Sequence, residues 1–155
     1  MSNLAERVVA AAKHYFAQGY NCAESTFLAG RNELLEDYDE EVPSSVASCF
    51  GGGIALTGSV CGALSGVFMV IGLIYNRLAA DDKELAMKIY ETALSIHKDF
   101  AERFGTVNCR ELTGYDFPEE FSRFAADKEA RQKCYDYVEY AAELLVKELQ
   151  KRQKI

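Results

Sequence analysis

Residues 58–78 read GSVCGALSGVFMVIGLIYNRL, and whether this stretch lies in lipid or in protein decides the fold. No charged residue occurs between Glu41 and Arg77, and residues 60–75 are almost wholly apolar. Length alone would permit a membrane span. Three features argue against one: glycines at 51, 52, 53, 58, 62, 66 and 72, the acidic segment Glu36 to Glu41 in front, and amphipathic segments on either side. They predict a central, glycine-rich helix over roughly 59–78, buried on all sides. No membrane insertion is expected.

The flanking segments supply the neighbours that would bury it. Leu4, Val8, Ala11 and Tyr15 fall on one stripe, which predicts a helix over 3–18 ended by Gly19. A second helix begins at Cys22, where Asn21 can cap and Glu24 can complete a capping box, and it runs to about Leu35 before the acidic linker EDYDEE. Pro43 suits the first turn of a short third helix carrying Cys49 near its end, and Phe50-Gly51-Gly52-Gly53 forces a break. Over 82–104 the stripe Leu85, Ile89, Ala93, Ile96, Phe100, Phe104 is strongly periodic, and Gly105 closes it. Asn108-Cys109-Arg110-Glu111 repeats the pattern of Asn21-Cys22-Ala23-Glu24, so a short helical turn starts there and stops at Gly114. Residues 118–151 read as helix, with Cys134, Val138, Ala141, Leu145 and Leu149 on one face. No stretch alternates with period two. The expected fold is therefore all-α, an irregular bundle of five to seven helices.

With 155 residues, 49% of them hydrophobic, and two prolines, the chain fits one domain over 1–155 with a real core. A net charge of -7 argues against nucleic acid or an anionic membrane as partner, since both call for a basic patch. The start, MSNLAERVVAAAKHYF, lacks the marks of a secretory signal, so a cytoplasmic location is expected. Thiols there are kept reduced. Five cysteines, an odd number, then read as free, metal-bound or transiently oxidised.

The cysteines stand at 22, 49, 61, 109 and 134 with no local C-x-x-C pair, so any centre must be assembled by the fold. Cys22 and Cys109 are each expected at the first residue of a helix, and Cys61 lies near a helix start. The positive end of a helix dipole favours a thiolate, so lowered thiol pKa values are expected at all three, with Arg110 adding to the effect at Cys109. Gly58, Gly62 and Gly66 recur every four residues, leaving bare backbone that another helix or a bound cofactor could approach at Gly62 and Gly66, with Cys61 beside that groove. Cys134, on its apolar stripe, fits a packing role best. Cys49 faces the glycine break, as core or as the border of a ligand loop. The glycine run follows no strand and lacks G-K-[ST], which argues against a phosphate loop. His14 and His97 read as packed or surface residues, and the aromatics at 15, 16, 100 and 104 as core.

Taken together, Gly19-Tyr20-Asn21-Cys22-Ala23-Glu24, Phe50-Gly51-Gly52-Gly53, Cys61-Gly62-Ala63-Leu64-Ser65-Gly66, and Cys109 and Cys134 downstream give the chain its likeness. It resembles the C_GCAxxG_C_C family of redox-active proteins, small bacterial and archaeal proteins named for their cysteine pattern. The likeness covers nearly the whole chain, although the family's core is spelt GCAxxG where this chain reads CGALSG. The resemblance implies that the family's four cysteines correspond to Cys22, Cys61, Cys109 and Cys134, with Cys49 the extra one. It implies a redox role and names no substrate.

Three functional readings follow. In the first, a thiol oxidoreductase or redox carrier uses Cys22, Cys61 or Cys109 to attack a disulfide or peroxide, a neighbouring cysteine among Cys22, Cys61, Cys109 and Cys134 resolves it, and an unidentified redox partner completes the cycle. In the second, the same four cysteines are metal ligands, holding zinc or an iron-sulfur cluster. In the third, a non-enzymatic helical oligomer packs its cysteines as small hydrophobes. A homodimer is an expectation resting on the long uncharged segment alone.

Overall fold

Helix formation begins at Asn3, whose side chain accepts a hydrogen bond from the Glu6 N–H at 2.9 Å while the Glu6 carboxylate accepts from the Asn3 N–H at 3.1 Å. This capping box satisfies free N–H groups at the start of α1 (Leu4–Ala17), which buries Val8 and Ala12. The computed structural model describes residues 3–35 and 42–155; the acidic linker EDYDEE lies outside them. Gly19, at φ +102°, turns the chain from α1 into α2 (Cys22–Leu34). Asn21 caps α2 by accepting from the Glu24 N–H at 2.9 Å. Glu24 answers by binding the Asn21 side-chain amide at 3.0 Å, so the expected capping box takes a side-chain form.

A 3-10 helix (Ser44–Phe50) follows, then α3 (Gly62–Tyr75), α4 (Lys83–Phe104), α5 (Cys109–Thr113), α6 (Phe121–Ala126) and α7 (Lys128–Lys151). Among the described residues the regular secondary structure is thus all helical, with one isolated bridge between Val60 and Asn108. A single buried cluster draws on α1, α2, α3, α4, α5 and α7. Helix α3 packs on α2, α4 and α7, while α7 also lines α1.

The α2 and α3 backbones approach closely because glycines remove side chains from the contact. A Cβ at Gly30 would lie 2.7 Å from Val70, and one at Gly66 would collide with Thr26 and the Ala23 carbonyl. Thr26 donates across the contact to the Ala63 carbonyl at 3.0 Å, so its buried hydroxyl is satisfied. Of the two occupants expected at the glycine face, another helix or a ligand, the helix α2 is there.

Helix α4 is capped by Asp82, which accepts from the Leu85 N–H at 2.9 Å, and closed by Gly105 at φ +82°. It buries Thr92, Ile96 and Phe100 and turns Met87, Tyr90 and Leu94 outward. Phe100 and Phe104 pack with Tyr137 and Tyr140 of α7, with Phe104 and Tyr137 edge to face at 4.8 Å between ring centroids.

Three expected helices differ in the structure. Helix α3 begins at Gly62 because Val60 is held in the bridge to Asn108 and the Cys61 N–H donates to the Val107 carbonyl at 2.8 Å. It stops at Tyr75 because Asn76 adopts φ +50°. The expected third helix is a 3-10 helix with Pro43 at its cap instead of in its first turn. The expected 118–151 helix breaks at Asp127, which caps α7 by accepting from the Ala130 N–H at 3.0 Å. Nor is α3 buried all round: Gly72 is exposed and Phe68, Met69 and Leu73 are half-buried. Among the described residues no helix is long and apolar enough to cross a membrane.

Candidate functional site

The glycine break is a left-handed turn. Gly52, Gly53, Ile54, Ala55, Leu56 and Gly58 have φ of +65°, +72°, +65°, +52°, +58° and +75°. For the three non-glycine residues this conformation costs about 1–2 kcal/mol each, so their surroundings must impose it. The Ala55 N–H donates to the Cys49 carbonyl at 2.7 Å and the Ser59 N–H to the Gly53 carbonyl at 2.8 Å. The turn is tied to α5 as well: the Cys109 N–H donates to the Ser59 carbonyl at 2.7 Å and the Arg110 N–H to the Gly58 carbonyl at 3.1 Å. A Cβ at Gly53 would lie 2.5 Å from the Ser59 carbonyl oxygen and 2.7 Å from the Cys109 Cβ. The strained turn therefore lies directly against a cysteine.

Four elements each bring one thiol to this place. Cys22 is the first residue of α2, Cys61 the N-cap of α3, Cys109 the first residue of α5, and Cys134 lies in the second turn of α7. Cys61 and Cys109 are buried, Cys22 and Cys134 half-buried. They are close enough for their charges to oppose one another. The Cys22 charge raises Cys61, Cys109 and Cys134, and those of Cys109 and Cys134 also raise Cys61.

The lowered thiol pKa values expected at the helix starts are not found. Burial, the largest influence, pushes Cys22 up, and only then do the N–H groups of Ala23, Gly52, Cys22 itself and Gly62 favour its thiolate. Burial and the Cys22 charge drive Cys61 well above the ordinary thiol value and Cys109 to about 12. Cys134 rises for the same two reasons, against which Arg131 pulls it down. The helix starts are where the sequence puts them, but removing a sulfur from water outweighs the dipole. Arg110, expected to assist Cys109, instead pairs with Asp116 at 2.9 Å and donates to the Thr57 carbonyl at 3.1 Å.

Cys22, Cys109 and Cys134 open onto a cavity of about 190 Å³. Phe16, Tyr20, Phe117, Phe121 and Phe124 wall it, and Arg131 is the charged residue in its lining. Cys61 lies behind, next to Gly62, whose missing side chain leaves room for the Cys22 sulfur. Cys49 is exposed on the 3-10 helix and does not line the cavity. Cys134, read from its stripe as packing, is half-buried at the cavity wall, and Phe16, read as core, lines it too. The sequence reading passed over Phe117, Phe121, Phe124 and Arg131. Their signal is the i, i+4, i+7 spacing of the three phenylalanines just ahead of Cys134, which matches one helical face. His14 is exposed and His97 half-buried, neither at the site.

Residues 20–148 match the family model described as "Putative redox-active protein (C_GCAxxG_C_C)". The chain belongs to this family. The C_GCAxxG_C_C span contains all four converging cysteines and every phenylalanine of the cavity except Phe16. An uncharacterized protein of Archaeoglobus fulgidus is 28% identical over 135 residues, which cover 83% of this chain and 84% of that relative. No solved structure matches the chain.

Proposed function

We propose that this C_GCAxxG_C_C protein performs thiol-disulfide redox chemistry at one centre made of Cys22, Cys61, Cys109 and Cys134. The observation that carries the reading is that Cys22, Cys109 and Cys134, each from a separate helix, line one cavity, with Cys61 behind them beside the Gly62 that makes room for the Cys22 sulfur. Cys22 is the attacking thiol. It lines the cavity, and backbone N–H groups offset part of the burial that raises its own pKa.

Cys22 gives up its thiol proton, and the thiolate forms a bond to one sulfur of a substrate disulfide and breaks its S–S bond, releasing one thiolate. Cys109 or Cys134, on losing its own proton, then attacks the Cys22 sulfur and displaces the second substrate thiolate. Each of the two protons passes to one departing thiolate. Two protein thiols have been oxidised to one disulfide and one substrate disulfide reduced to two thiols.

Equilibrating the reduced protein in buffers of graded dithiothreitol redox ratio, followed by acid quench and intact mass, tests this. The reading predicts a cooperative loss of two mass units that is absent in Cys22→Ser. Four thiols that stay reduced across the range would overturn it.

A second reading, an iron-sulfur cluster on the same residues, is favoured by their number and type, four cysteines from four helices, which is the ligand set such clusters take. Zinc has less support: among the described residues no three His, Cys, Asp or Glu side chains are grouped as a single ion requires. Anaerobic reconstitution with iron and sulfide separates the readings. A visible band with stoichiometric iron supports the cluster, and a colourless protein removes it.

A further inference from the structure

The walls of the cavity say what could enter it. Phe117, Phe121 and Phe124 pack edge to face or tilted, with ring centroids 5.1 to 6.2 Å apart, and Tyr20 and Phe121 remain exposed. Such a wall favours a flat or thioalkyl carbon body over a sugar or a peptide backbone, whose polar groups would find few partners there.

Arg131 sets the charge. It lines the cavity one turn before Cys134, and among the described residues no carboxylate, carbonyl or aromatic face engages its guanidinium. Other exposed arginines of the chain are engaged: Arg7 with Glu33, Arg110 with Asp116, Arg123 with Glu120. A planar guanidinium with five N–H donors suits a carboxylate, which it can hold through two parallel hydrogen bonds.

We infer that this cavity binds small organic anions, an apolar or aromatic body carrying one carboxylate, with Arg131 as the residue that recognises the carboxylate. The inference rests on the thiol-redox reading for its chemical sense and names the substrate class as carboxylate-bearing disulfides and their thiols. A disulfide held by its carboxylate at Arg131, with its body among the phenylalanines, lies in the same cavity that Cys22, Cys109 and Cys134 line.

The experiment compares two reagents, 5,5′-dithiobis(2-nitrobenzoate), which carries carboxylates, and 4,4′-dithiodipyridine, which is neutral, on the reduced protein and on Arg131→Gln and Arg131→Lys. Arg131 also influences Cys134, so the neutral reagent measures any change in thiol reactivity itself. Arg131→Gln is expected to slow the carboxylate reagent at least tenfold more than the neutral one, with partial recovery in Arg131→Lys. Equal slowing of both, or none, overturns the inference. A second arm titrates 1-naphthoate, 1-naphthalenemethanol and 1-naphthylmethylamine into a Cys22→Ser variant. Preferential naphthoate binding lost in Arg131→Gln supports the site whether or not the thiols exchange disulfides. Equal binding of the three overturns it while leaving the redox reading intact.

Discussion

The sulfur of Cys22 occupies the space that a side chain at Gly62 would need. The glycine next to Cys61 is thus part of the thiol centre: its bare Cα lets α2 and α3 bring two cysteines together, and its N–H faces the Cys22 sulfur.

Gly62→Ala is expected to destabilise the protein by about 1–3 kcal/mol, because the new methyl would meet the Cys22 sulfur and the Phe50 carbonyl at 2.9 Å. Gly72 lies in the same helix with nothing within 4 Å of its would-be Cβ. Gly72→Ala should stabilise by roughly 0.5–1 kcal/mol through helix propensity. Denaturant unfolding of the two variants checks both signs. Similar effects would remove the packing argument.

In the left-handed turn, Ala55 is exposed at φ +52°. Ala55→Gly should stabilise by about 0.5–1 kcal/mol, since glycine adopts this conformation without a Cβ penalty. Gly53→Ala should do the reverse and disturb Cys109, whose Cβ lies 2.7 Å from the added methyl. Unfolding midpoints and the alkylation rate of Cys109 report the two effects.

The raised thiols give a signed pH dependence. Cys109 moves from 9.0 to about 12 on folding, so between those values the unfolded chain has lost a proton that the folded chain keeps. Its stabilising contribution is full below pH 9 and falls as pH rises toward 12. Relative to Cys109→Ala, the wild type should lose roughly 1 kcal/mol of stability per pH unit above 9.5. Unfolding at pH 8, 9.5 and 10.5 measures the difference. Parallel curves would show that Cys109 ionises freely in the folded state.

The reading of the sequence went furthest where one local pattern suffices. The stripe ending at Phe104 and the glycine after it define α4 to within one residue of its start, and Asn21 and Asn108 both stand where helices begin. Thiol ionisation could not be read this way. Helix starts are local, but the burial that raises Cys61 and Cys109 comes from helices distant in sequence. The cavity was hidden for a related reason: Phe16 and Phe117 face one space only once α1 has packed on α7. The left-handed turn hid behind its glycines, which announced a break but not that Ile54, Ala55 and Leu56 would share its hand.

Peptide mapping after mild oxidation tests the central claim most directly. The reduced protein is treated with one equivalent of diamide, alkylated and digested, and its cysteine peptides are assigned by mass. The account predicts a disulfide joining Cys22 to Cys109 or Cys134 that dithiothreitol reverses, with the exposed Cys49 alkylated throughout. Full alkylation of Cys22, with oxidation confined to Cys49, would contradict it.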